Sequence, residues 1–242
     1  MKRGVLYGIG VGPGDPDLIT FKGVRILESC SHVFVPKARQ EGGSLALTIA
    51  GKHVNPEAKI HEIVFPMTTD KEELNRRWED SARQIGEVLE SGSDACFLTL
   101  GDAFLYSTYI YMLKALRRRI PDVDVVTVPG ITAFSAAAAV SEFPVGQGKE
   151  SVTIVPTADD LEEVKRAIGA GGTVVLMKIG KRLDRILDIL EDSSALGRGV
   201  FVSHVGLENQ KIVKDLRTLK TGAEDRGYLS VMLVRGSDEE IS

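Results

Sequence analysis

Short runs of β-branched and aliphatic residues alternate with amphipathic stretches along the whole chain, the pattern of parallel or mixed sheets flanked by helices. In the first half, residues 5–11, 32–36, 59–66, 95–100 and 123–129 read as strands. The clearest helical pattern covers residues 72–91, where Leu74, Trp78, Ile85 and Leu89 fall on one face. Thr69 and Glu72 are spaced as a capping box before it, and Gly92 stands where a left-handed residue would end it. After Pro129-Gly130 comes a small-residue helix, TAFSAAAAV, then the loop EFPVGQGKE and a second series of strands: SVTIVP, TVVLMK, GVFVSHV, IVKDL and YLSVMLVR. Leu161, Val164 and Ile168 mark the face of one intervening helix, and Leu183, Ile186, Leu187 and Leu190 that of another. The expected fold class is α/β, as two consecutive α/β domains covering residues 1–128 and 129–242 and joined near Pro129-Gly130. There is no internal repeat, and the closing SDEEIS reads as a solvated tail.

Composition narrows the partners. The 242 residues carry 30 basic and 34 acidic side chains, a net charge of -4, so no general attraction to nucleic acid or an anionic membrane is expected. No stretch approaches the ~20 apolar residues of a membrane span. The opening MKRGVLYGIGVGPGD is broken by glycines and is unlike an export signal. Cys30 and Cys96 sit in apolar contexts and read as buried thiols of a cytoplasmic protein. His32 lies two residues after Cys30, but His32, His53, His61 and His204 show no paired ligand spacing, so no metal site is expected. The 25 glycines exceed the ~7% average, which points to tight turns or close backbone approaches.

Three glycine-bearing turns follow predicted strands. In GIGVGPGD, residues 8–15, the dinucleotide fingerprint fails: its third glycine would fall on Pro13 or Asp15. A carboxylate there also opposes a pyrophosphate. Gly51-Lys52 and Gly180-Lys181 lack the upstream glycine and following hydroxyl of a phosphate-binding P-loop. The second turn, TLGDAFLYST, and the third, PGITAFSAAAA, stand at strand ends where open α/β sheets gather their ligands. Each alone is ordinary strand punctuation.

Taken in order, GVGPGDPDLITFKGVRIL, LTLGDAFLYST, PGITAFSAA and VVLMK resemble the motifs of the tetrapyrrole methylase family over nearly the whole chain. The resemblance implies two α/β domains with a ligand cleft between them, a homodimer, S-adenosyl-L-methionine as cofactor and a tetrapyrrole substrate. FPMTTD, the Leu/Trp helix after it and YLSVMLVR are most similar to the branch that methylates C20 of precorrin-2 or cobalt-factor II in cobalamin biosynthesis. Uroporphyrinogen III methylation, diphthine synthesis and ribose methylation of ribosomal RNA are alternatives in the same fold. A non-catalytic tetrapyrrole-binding module is an alternative of another kind, disfavoured by the intact GD and PGITA turns. Where the family commonly has Gly-Asp-Pro, this chain has Gly101-Asp102-Ala103, which removes no chemical group.

By the same resemblance, cofactor contacts fall on Leu100, Gly101, Asp102, Leu105, Thr132, Ala133 and Met177, with a further contact near His204 to Gly206. The first glycine-rich loop is assigned to the substrate side. Asp15 is its one obvious acid or base, with helix capping as the competing role. Tyr228, read as the start of the last strand, is a second candidate for proton transfer, with strand packing as its competitor. Lys37, Arg39 and Lys149 are loop cations available to substrate carboxylates.

Overall fold

A computed structural model describes residues 2–37, 43–65, 70–157, 161–219 and 227–236, and the chain divides into two compact units, Met1–Thr132 and Ala133–Ser242. Arg39, Thr69 and the closing SDEEIS lie outside the described residues.

In the first unit β1 (Leu6–Gly10), β2 (His32–Lys37), β3 (Lys59–Val64), β4 (Ala95–Thr99) and β5 (Val125–Val128) form a parallel sheet in the order β3-β2-β4-β1-β5. Helices cover both faces, as parallel sheets require. Alternation along the strands sorts the core into two layers. Leu6, Phe34, Ala95 and Phe97 pack with α3 (Lys71–Glu90) and α4 (Thr108–Arg119). Ile9, Val33, Val35, Cys96 and Leu98 pack with α1 (Phe21–Ser29) and α2 (Leu45–Ala50).

Local chemistry sets the ends of these elements. Asp70 caps α3, its Oδ1 accepting the N–H groups of Glu72 and Glu73 at 2.9 and 3.3 Å, so the carboxylate of Asp70 satisfies the orphan donors at this terminus. Gly92 closes the helix with φ +89°. Strand interiors are just as specific. Gly8 lies under the Tyr109 ring, and a Cβ there would sit 2.2 Å from Tyr109 Cζ. Tyr109 is fully buried and its hydroxyl is bonded to Thr127 Oγ1 at 2.9 Å. Burial holds its phenol above the ordinary range.

Tertiary folding also joins groups far apart in sequence. Cys30 and Cys96 are both buried free thiols, and hydrogen bonding with Cys30, together with burial, pushes the Cys96 thiol up. His32 Nδ1 lies 3.0 Å from His61 Nε2 across β2 and β3, a neighbourhood that histidine spacing did not reveal.

The second unit carries a mixed sheet. β6 (Val152–Pro156) and β7 (Thr173–Met177) are parallel; β10 (Ser230–Arg235) runs antiparallel between β7 and β8 (Gly199–Ser203), and β9 (Lys211–Val213) forms the far edge. α6 (Glu162–Gly169) and α7 (Leu183–Asp192) bury Val164, Ile168, Ile186, Leu187 and Leu190 against Val155, Val174, Leu176 and Met232. α5 (Ala133–Ser141) packs on β10 and β8, and its alanines permit the close approach. The loop after α5 is tied to the sheet by Arg235. Its guanidinium pairs with Glu150, donates to Thr173 Oγ1 and Pro144 O at 2.8 Å each, and lies over the Phe143 ring.

Candidate functional site

The parallel order β4-β1-β5 brings three of the glycine-bearing turns together at one edge of the first sheet, where each strand ends. β1 continues past Gly10, with Val11 N–H donating to Thr99 O at 3.0 Å. Gly12 and Gly101 then exchange both backbone hydrogen bonds, at 3.2 and 2.8 Å. Both have left-handed backbones, φ +81° and +68°, which is the reason for glycine at these two positions. Gly10 and Gly130 are glycines for a different reason. A Cβ on Gly130 would lie 2.1 Å from Gly101 O, and one on Gly10 would lie 2.6 Å from the same oxygen and 2.7 Å from Gly130 N. The three turns therefore touch backbone to backbone.

Asp102 bridges two of them. Its Oδ1 accepts Phe104 N–H at 2.8 Å and its Oδ2 accepts Gly130 N–H at 3.0 Å. Beneath the turn, Thr99 and Ser107 share a buried hydroxyl hydrogen bond of 2.7 Å, and Ser107 Oγ caps α4 through Tyr109 N–H at 3.1 Å. Ala103, where the family commonly has proline, is a fully buried core residue. Tyr106 holds φ +53°, an unusual value for a bulky residue, and backbone strain of this kind concentrates at binding sites. Phe104, Tyr106 and Ile131 expose apolar surface beside the turns, while Leu100, Leu105 and Thr132 are half-buried.

The first loop carries Asp15 at its end. The structure gives this carboxylate a capping bond: Oδ1 accepts Asp17 N–H at 2.8 Å and starts a 3-10 turn over Pro16–Leu18, which stands between the loop and α1. Asp17 pairs in turn with Lys52 at 2.6 Å, and that hydrogen bond holds its carboxyl below the ordinary range. Of the loop cations, Lys37 ends β2 and bonds Glu62 at 2.6 Å, while Lys149 is exposed.

The remaining predicted residues belong to the second unit, which Ala133 begins. Met177 closes β7, half-buried. Because β10 is antiparallel to β7 and β8, its start lies beside the ends of both, with Val231 opposite Met177 and Ser230 opposite Ser203. At this edge three neighbouring strands pass through left-handed non-glycine residues: Lys178 (φ +56°), His204 (φ +53°) and Leu229 (φ +46°). His204 N–H donates to Leu229 O at 2.8 Å. Tyr228 stands in the turn before β10 rather than in the strand, because regular pairing begins only at Ser230; it is 53% exposed, with its ring edge-on to His204. Strand packing is thus not its role. Sequence reasoning missed Thr157, whose hydroxyl donates to Met177 O at 3.0 Å and to Lys178 O at 2.8 Å and so clamps the strained end of β7. A threonine after a strand carries no signal for such a contact. It also missed Gly227, where a Cβ would lie 1.9 Å from Gly180 O.

Among the described residues, no group of three or more His, Cys, Asp or Glu could hold a metal ion, and no helix is long and apolar enough to cross a membrane.

Two α/β units with glycine-built turns at strand ends are the architecture of a known enzyme family. The chain belongs to the Tetrapyrrole (Corrin/Porphyrin) Methylases, whose family model matches residues 5–220. It is 32% identical to the cobalt-precorrin-2 C(20)-methyltransferase of Salmonella typhimurium, over 96% of each chain. The same fold occurs in the crystal structure of a cobalt precorrin-4 methyltransferase, with TM-score 0.74 and 21% identity over 95% of this chain and 94% of that one. It occurs too in a uroporphyrin-III C-methyl transferase from Thermus thermophilus complexed with S-adenosyl homocysteine, with TM-score 0.61 and 20% identity over 96% and 97% of the two chains.

Proposed function

We propose that this protein is an S-adenosylmethionine-dependent methyltransferase that methylates C20 of precorrin-2 or of a cobalt-containing counterpart, cobalt-precorrin-2 or its oxidised form cobalt-factor II, in corrin biosynthesis. The observation that carries the reading is the end-to-end match to the Salmonella enzyme of that name, which includes both sets of strand-end turns. The cobalt-containing substrate is the preferred one, on the same ground.

The turns suit this cofactor. Residues 99–108 and 129–141 contain no lysine or arginine, so they offer bare glycine backbone and apolar walls to a neutral adenosyl group rather than cations to a phosphate. Leu100, Gly101, Asp102, Leu105, Thr132, Ala133 and Met177 are the residues proposed to hold it. When bound, S-adenosylmethionine supplies a methyl group on a sulfonium with a neutral thioether as leaving group. The protein's task is then placement of the methyl in line with an electron-rich meso carbon, since orientation alone supplies a large share of such a rate enhancement. Peptide groups at the ends of β4 and β5 are suited to this because the glycine contacts and the Asp102 bridge fix them before binding. The proton lost from C20 passes to a base. Tyr228 is an exposed candidate, and Asp15 is a candidate whose second oxygen has no assigned partner in its capping contact. We further propose a homodimer in the cytoplasm, a compartment suited to two free buried thiols.

The test is incubation with methyl-labelled S-adenosylmethionine and, separately, precorrin-2 and cobalt-factor II. Label at C20 of either macrocycle is the expected result. No label in either, with the cofactor bound, excludes the reading, and label on a pyrrole carbon moves the enzyme to another branch of the family.

A further inference from the structure

We infer that Asp102 is a positioning residue: its carboxylate locks the β5 turn onto the β4 turn, so that the peptide groups of these turns, and not this side chain, meet the cofactor. The inference rests on the proposed methyltransferase reading and deepens it. Asp102 Oδ1 and Oδ2 are each taken by a backbone N–H, one from its own turn at Phe104 and one from Gly130, 28 residues away. Carboxylate acceptors of this kind form stronger bonds than neutral ones. Each oxygen keeps a second lone pair, so a direct contact with the cofactor would add to these two bonds rather than replace them, and the ligand series below separates such a contact from the lock.

The surroundings explain why a lock is needed here. Gly10, Gly101 and Gly130 meet without any side chain between them, so van der Waals contact alone leaves their relative position soft. The first and second turns are joined by the reciprocal Gly12 and Gly101 hydrogen bonds, and the second and third by Asp102. Asparagine cannot reproduce this arrangement. Its side chain has one accepting oxygen, and its amide nitrogen would face the other N–H, donor against donor.

Asp102→Asn and the parent protein are compared by calorimetric binding of S-adenosylhomocysteine, its decarboxylated form, 5′-methylthioadenosine and 2′-deoxy-5′-methylthioadenosine. A positioning role predicts that the variant loses affinity for all four by the same factor, about 10-fold for one hydrogen bond to a charged acceptor. It also predicts faster hydrogen exchange at the Gly130 or Phe104 amide. Unchanged affinity overturns the inference, as does a loss confined to ligands that carry one particular group, which marks a direct contact. Exchange in the parent protein serves if the variant does not fold: the Gly130 amide is expected to be protected without cofactor, and free exchange there also overturns the inference. Failure of the parent protein to bind S-adenosylhomocysteine would count against the methyltransferase reading instead, and leaves the exchange result standing.

Discussion

Replacing Gly8 by alanine tests how tightly the first sheet is matched to its helices. The added methyl would lie 2.2, 2.4 and 2.5 Å from Cζ, Oη and Cε2 of Tyr109, against an ordinary contact of 3.4 Å or more. Relief requires the ring to recede by about an ångström, and it is fully buried beside Phe97 with its hydroxyl bonded to Thr127. Overpacking of this kind costs ~1–3 kcal/mol, and loss of the hydroxyl bond adds ~1 kcal/mol. Relief of glycine's entropy penalty in a strand returns roughly 0.5–1 kcal/mol, leaving a net loss of about 1–3.5 kcal/mol. Trp78, the sole tryptophan, lies in this unit and stacks on Tyr111 at 4.7 Å, so its fluorescence reports unfolding of the first unit. With a urea m-value of ~2 kcal/mol/M, the midpoint is expected to fall by about 0.5–1.8 M. Specificity comes from a double-mutant cycle with Tyr109→Leu, which removes all three atoms the methyl would meet. In that background Gly8→Ala is expected to be neutral or slightly stabilising, a coupling of about 1–4 kcal/mol. Equal losses in both backgrounds would refute the steric argument.

Two further outcomes follow from contacts away from the proposed site. Glu150→Gln removes the anion that pairs with Arg235, whose side chain is 17% exposed, and should destabilise the second unit by ~1–3 kcal/mol, less than a fully buried pair because solvent reaches both partners. Denaturation followed by circular dichroism and faster proteolysis within residues 143–150 would check it; unchanged stability and cleavage would mean that Arg235 does not anchor this loop. Burial, then the His32 and Lys59 charges, holds the folded pKa of His61 below its ordinary value near 6.5. The unfolded chain then binds the proton more readily, so stability is expected to be highest above that pH and to decline as pH falls through about 6.5 until folded His61 also protonates. His61→Phe should flatten this part of the pH profile of the Trp78 urea midpoint, and an unchanged slope would show that another group is responsible.

The period of the hydrophobic pattern was enough to place the main strands and helices, because strand alternation and a helical stripe are properties of neighbouring residues. So were the division into two α/β units and the three turns, since glycines after apolar runs are local signals. Helix ends were less legible. Thr69 and Glu72 have capping-box spacing; Thr69 lies outside the described residues, and the described N-cap contact belongs to Asp70, a short carboxylate that sequence spacing did not single out. Tyr228 was assigned to a strand that begins two residues later, since nothing in YLSVMLVR announces that Leu229 takes a left-handed backbone.

What only the tertiary structure decided is which of these residues meet. The excess of glycine was visible in the sequence, but its cause was not. Gly12 and Gly101 answer to backbone dihedrals, Gly10 and Gly130 to the passage of a neighbouring turn, and Gly8 to a ring 101 positions later. Asp102, half of a two-residue motif in the sequence, became a bridge once β5 was laid beside β1 and Gly130 came within reach. Strand order creates these meetings, and strand order depends on how the whole chain packs rather than on any segment of it.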